Sequence, residues 1–126
     1  MSEADDVYER GIAVRDEMLG SEHGRAKVES QSDFTADFEH MVTRYCFGEV
    51  WSRPQLDRKT RSMLTMALLV ALNRPNQLKG HVRGAVKNGV TKDELGELIT
   101  HLAFYSGWPT AITAASIAKE VFEGSK

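Results

Sequence analysis

The sequence predicts an all-α fold of about six helices. Three observations carry that expectation. Apolar residues recur at spacings of three and four along most of the chain. No stretch sustains the period-two alternation of a half-buried strand. The three prolines, Pro54, Pro75 and Pro109, each fall between periodic segments rather than inside one. At 126 residues, a single domain spanning 1–126 is expected, long enough to bury roughly two-thirds of its unfolded surface.

Val7, Tyr8, Ile12, Val14, Met18 and Leu19 predict a first helix that ends near Gly20. The polar stretch from Ser21 to Ser32 reads as a loop. Phe34, Phe38, Met41, Val42 and Tyr45 then form the stripe of an amphipathic helix, capped by Ser32 or Asp33 and followed by Gly48. Gly48 to Leu56 has no helical stripe and reads as a loop. Asp57 stands as the cap of a helix whose body, Met63 to Leu72, is apolar nearly all round, so it must be buried in the core or against another subunit. Pro75 separates it from a fourth helix through Leu78, Val82, Ala85 and Val86, which leaves by a left-handed turn at Asn88-Gly89. Thr91 and Glu94 have capping-box spacing, with Val90 and Leu95 placed as a hydrophobic staple. That fifth helix runs to Gly107, and Pro109 fits the first turn of an Ala-rich sixth, stopped at Gly124.

Composition excludes several function classes. Hydrophobic residues make up 41% and charged residues 27%, the balance of a folded globular chain. Sixteen Lys and Arg against 18 Asp and Glu give a net charge of −2, with no pull toward nucleic acid or an anionic membrane. The lone Cys46 excludes an intrachain disulfide, a Cys-x-x-Cys pair and a Cys-rich zinc site. The longest apolar run, Met66 to Leu72, is far short of the roughly 20 residues that span a bilayer. The acidic N-terminus is the reverse of a signal peptide, so a cytoplasmic location is expected.

Four histidines, His23, His40, His81 and His101, are the groups that titrate near neutral pH. No two have metal-ligand spacing, and no metal site is expected. His81 lies among Leu78, Val82 and Ala85 on the apolar side of its helix, where it is either a packed core histidine or a partly dry catalytic one. His101, beside Leu98 and Tyr105, reads as core, and His40, off its helix's stripe, as solvated. The segment from Gly48 to Pro54 sets Glu49, Trp51 and Arg53 within five residues. An acid, an indole and a guanidinium so close suit a pocket for a small anion, with Arg53 as a fork for a carboxylate. The nearby basic run Arg58, Lys59 and Arg61 lacks interleaved aromatics and reads as a solvated helix start.

Three ordered blocks carry a resemblance: Gly48 to Ser62, His81 to Thr91, and Tyr105 to Ala111. Together with Arg10-Gly11, Val14-Arg15 and Leu19 to His23, they resemble the carboxymuconolactone decarboxylase family over nearly the whole chain. Gln55 stands where a glycine is usual, Phe47 where a tryptophan is, and Trp108 where a small aliphatic is. Trp108 would narrow the pocket. The resemblance implies a helical, alkylhydroperoxidase-like domain assembled into trimers or hexamers. It also implies cofactor-free decarboxylation of 4-carboxymuconolactone to the β-ketoadipate enol-lactone in aromatic breakdown. On that reading the substrate is a small dianionic lactone, Arg53 and Arg15 hold its carboxylates, and Trp51 and His23 join them in binding. His81 is the donor or acid, and Glu49 its orienting partner or the proton source.

Two other readings stay open at this point. Alkylhydroperoxidase-like proteins place Cys-x-x-Cys just ahead of the histidine, but Arg74 and Gln77 stand there in this chain. Thiol peroxidase chemistry needs a low-pKa thiolate and a resolving partner. A non-catalytic diverged paralogue is the third class.

Overall fold

The computed structural model describes residues 2–20 and 24–124. Among them the chain forms seven helices: α1 (Glu3–Leu19), α2 (Arg25–Ser30), α3 (Ala36–Met41), α4 (Arg58–Ala71), α5 (Pro75–Lys87), α6 (Lys92–Ser106) and α7 (Trp108–Glu123). No strand occurs among the described residues. Helix α3 runs directly into a nine-residue π-helix, Val42–Val50. The chain divides into two compact units, Met1–Asp57 and Arg58–Lys126.

In the first unit, α1 begins at a capping box in which Ser2 and Asp5 satisfy each other's backbone donors. Its inner face buries Val7, Ile12, Val14, Arg15 and Met18, close to the expected stripe. It packs against the π-helix at two glycines, Gly11 and Gly48. A Cβ at Gly11 would stand 2.0 Å from the Thr43 carbonyl oxygen, and one at Gly48 2.4 Å from that of Val7. Only residues without a side chain let the two backbones approach so closely.

Three local expectations are corrected here. Arg25–Ser30, expected as loop, forms the short helix α2, which is the seventh helix. Helix α3 starts at Ala36 behind Thr35, not at a Ser32 or Asp33 cap, and Thr35 makes no side-chain capping bond. The helix also continues through Gly48 and Glu49 to Val50, so the irregular segment is shorter than expected. The wider π-turn, bonded i to i+5, changes which residues face inward. Thr43, Phe47 and Trp51 are buried, while the anticipated stripe stays exposed, Phe34 almost fully and Phe38, Met41 and Tyr45 in large part.

The second unit is built from four helices. Helix α4 packs on α5, α6 and α7, and α7 also packs on α5 and α6. Met66, Val70, Leu78, Val82, Ala85, Val90, Leu95, Ala114 and Ala118 form its core. The turns are those the residues require. Gly89 and Gly107 take φ of +98° and +99°, a region that glycine enters without strain. Thr91 Oγ1 accepts from the Glu94 N–H at 3.0 Å, and Glu94 Oε1 accepts from the Thr91 N–H at 2.9 Å. Val90 and Leu95 are both buried, completing the staple. Asn88 Nδ2 donates to the buried Ser62 Oγ at 2.9 Å, tying the end of α5 to α4. Helix α4 buries Ser62, Met66 and Val70 but leaves Leu64, Leu68 and Leu72 exposed. Its near-continuous apolar body is therefore covered by this chain on one side.

Candidate active site

Five of the six expected site residues fall in the first unit and one, His81, in the second. His23 lies outside the described residues.

Arg15 projects from α1 and is buried. Its Nη1 donates to Glu39 Oε2 at 2.9 Å and to Thr43 Oγ1 at 3.1 Å. The guanidinium carbon stands 5.2 Å from the centre of the Phe47 ring. Its Nε is buried and has no hydrogen-bond partner. Arg15 thus closes a cluster with Val14, Met18, Phe47 and Trp51, in which the Phe47 and Trp51 rings stack with centroids 6.5 Å apart. The paired Nη1 holds α1 to Glu39 on α3 and to Thr43 on the π-helix, because removing either acceptor leaves a buried cation short of a partner.

Glu49, on the last turn of the π-helix, is exposed. Trp51, two residues on, is only 6% exposed, and Arg53 is exposed again. The carbonyls at this helix end are taken one at a time. Trp51 N–H donates to Cys46 O at 2.9 Å, Ser52 Oγ to Phe47 O at 2.9 Å, and Arg53 N–H to Val50 O at 3.2 Å. Gly48 O accepts from Arg10 Nε at 2.9 Å. The order acid, buried indole, exposed guanidinium places Glu49 and Arg53 on either side of an anchor. Neither Arg10 nor the Glu39–Arg15–Thr43 link was legible as a contact in the sequence. The one available signal was Gly11, a helix-interior glycine that costs about 1 kcal/mol against alanine and here has a packing reason.

Cys46 is half-buried. Burial pushes its thiol up from the ordinary cysteine range, against smaller downward effects from the Arg15 charge and a hydrogen bond with Trp51. The thiol is the dominant form at neutral pH, the opposite of what peroxidase chemistry requires.

In the second unit His81 is half-buried on α5, on the side that carries Leu78, Val82 and Ala85. Burial pushes its pKa below the ordinary histidine value of 6.5, so the neutral imidazole, with one N–H to donate, prevails at pH 7. His101, expected in the core, is exposed, its ring 4.9 Å from that of Tyr105. It lines an open groove of about 690 Å³ between α4 and α6, floored by Leu64, Leu98 and Leu102. Asp93, Glu94 and Glu97 line that groove as well and make it a poor seat for an anion. His40 is exposed as expected, yet it stacks on Tyr8 with ring centroids 4.3 Å apart. Lys59 of the basic run is paired with Glu94 at 2.8 Å.

No group of three or more His, Cys, Asp or Glu among the described residues is gathered as a metal ion requires, and no described helix is long and apolar enough to cross a membrane.

Comparison with known proteins adds the family. A protein of Acinetobacter baylyi named 4-carboxymuconolactone decarboxylase is 47% identical over 116 residues, which is 92% of this chain and 87% of that protein. Nitrosuccinic acid decarboxylase npaB of Metarhizium robertsii is 38% identical over 114 residues, 90% of this chain and 80% of its own length. The profile of the carboxymuconolactone decarboxylase family matches residues 36–120, from the first residue of α3 into α7. With the profile covering most of the chain and relatives similar along nearly all of it, this chain belongs to the carboxymuconolactone decarboxylase family.

Proposed function

We propose that this chain is a carboxy-lyase that converts 4-carboxymuconolactone to the β-ketoadipate enol-lactone and carbon dioxide. The observation that carries this reading is the 47% identity, over 92% of the chain, to a protein named for that activity. The second relative is named for decarboxylating another small dicarboxylic acid, one whose nitro group can accept the electron pair.

The chemistry sets what the side chains must do. The bond from the γ-carbon to its carboxylate breaks, and carbon dioxide leaves. The electron pair moves through the ring alkene into the lactone carbonyl, giving a 2-oxyfuran-like dienolate. A proton then adds to carbon and yields the enol-lactone. The protein must hold two carboxylates, stabilise negative charge at the lactone oxygen and direct one proton.

In this proposal exposed Arg53 holds the carboxylate that is retained, and Trp51 anchors the segment that carries it. Arg15 is the second cation. Its Nη1 is held by Glu39 and Thr43, which fixes where the positive charge of the guanidinium sits. His23 joins the binding group. A neutral His81 suits donation to the lactone oxygen better than proton delivery, and the proton reaches carbon through the Glu49 carboxyl group. No cofactor or metal is invoked.

The test is loss of the lactone carboxylate by purified protein with no added metal or cofactor. His81→Gln and Glu49→Gln should each lower kcat by about 100- to 1,000-fold, as removal of a preorganised donor does. The double variant should be little worse than the worse single. Arg53→Ala should instead raise KM. Wild-type kcat in a folded His81→Gln protein would return the histidine to a packing role.

The protein is further proposed to act in the cytoplasm as a homo-oligomer, a trimer or hexamer. Leu64, Leu68 and Leu72 on α4, with Phe104, Tyr105, Trp108 and Ile112 where α6 meets α7, are exposed large apolar side chains that a subunit contact would cover. A monomer in sedimentation at micromolar concentration would overturn that.

A further inference from the structure

Glu49 has no neighbour in the first unit that orients its side chain through a described hydrogen bond or ion pair, so its placement falls to its backbone. Two constraints act there. On one side, Trp51 is locked in the cluster with Val14, Met18 and Phe47. On the other, the carbonyl of Gly48, which lies in the peptide plane leading into Glu49, accepts from Arg10 Nε at 2.9 Å. That carbonyl belongs to the last turn of the π-helix, where helical donors have run out. Arg10 comes from α1, next to Gly11, at the point where the two backbones touch. A planar guanidinium fixes both the position and the direction of the bond in a way a lysine cannot.

From this geometry we propose that Arg10 is a positioning residue. By clamping the Gly48–Glu49 peptide plane to α1, it aims the Glu49 carboxylate at the reacting substrate. The inference rests on the reading of Glu49 given above, and it gives a role to a residue that the sequence analysis left without one.

Kinetics of Arg10→Met and Arg10→Lys, each in the parent and in the Glu49→Gln background, test it on 4-carboxymuconolactone. Arg10→Met should lower kcat roughly ten- to a hundredfold, the scale of a catalytic group displaced by about 1 Å, with KM nearly unchanged. Arg10→Lys should recover part of the loss. In the Glu49→Gln background Arg10→Met should change kcat by less than about twofold, because nothing is left to aim. A merely structural arginine would lower kcat by the same factor in both backgrounds, and that result overturns the proposal. Wild-type kcat in Arg10→Met, with Glu49→Gln inactive, also overturns it and leaves the Glu49 reading standing. Full turnover by Glu49→Gln itself refutes the reading of Glu49 first. Should Arg10→Met fail to fold, Arg10→Lys in both backgrounds decides by the same comparison.

Discussion

Replacing Gly11 with alanine tests the tightest contact in the first unit. The new Cβ would lie 2.0 Å from the Thr43 carbonyl oxygen, 2.9 Å from its carbon and 3.0 Å from the Gly48 nitrogen. Ordinary contact begins at 3.4 Å, so α1 and the π-helix must part by more than 1 Å. All three obstructing atoms are main chain, and no rotamer change relieves them. Over-packing costs roughly 1–3 kcal/mol where side chains can yield, and a rigid obstacle puts this case at the upper end. Separation also stretches the Arg10–Gly48 and Arg15–Thr43 bonds, each worth about 1 kcal/mol. The better helix propensity of alanine returns up to about 1 kcal/mol. The net expectation is a loss of about 4 kcal/mol, or roughly 15 °C in melting temperature for a chain of this size. Gly96→Ala is the matched control. It lies inside α6 with nothing within 4 Å of the added carbon, so only the propensity gain remains and the melt should rise by a few degrees. Thermal unfolding followed by circular dichroism, at one fixed protein concentration, reads both. If Gly11→Ala melts within about 2 °C of the parent, the backbone contact is not rigid and the account of the first unit fails.

Cys46→Ser should keep decarboxylase activity with a stability loss of about 1 kcal/mol, because burial disfavours the thiolate there; loss of turnover in a folded variant would reopen thiol chemistry. Burial favours neutral His81 in the fold, so the unfolded chain takes up that proton first as pH falls. Its contribution is level above about pH 6.5 and is lost progressively below, and unfolding measured from pH 8 to 5 should fall less steeply in His81→Gln than in the parent. A parallel pair of curves would count against a buried imidazole. Ser62→Ala leaves Asn88 Nδ2 without its 2.9 Å acceptor and should lower stability by about 1–2 kcal/mol in denaturant titration; no change would mean that the bond carries nothing.

Much of this protein follows from the order of its residues. The capping box at Thr91 and Glu94, the staple of Val90 on Leu95, the glycine exit at Gly89 and Pro109 in the first turn of α7 are local rules. Each acts over a few residues, and each is met in the structure. The motif from Gly48 to Pro54 likewise placed Glu49, Trp51 and Arg53 in one short segment, and its similarity to a family was readable in the bare sequence. Tertiary structure decided what spacing does not encode. Periodicity put Phe34, Phe38 and Met41 on one stripe, but only the π-turn and the contact with α1 turned Thr43 and Phe47 inward and left that stripe exposed. The partners of Arg15 and Arg10 lie 24 to 38 residues away, beyond the reach of any helical repeat. Gly11 has meaning only opposite Thr43 and Gly48. Local propensity is summed over neighbours along the chain, whereas a buried arginine's role is set by whatever the fold brings within 3 Å of it.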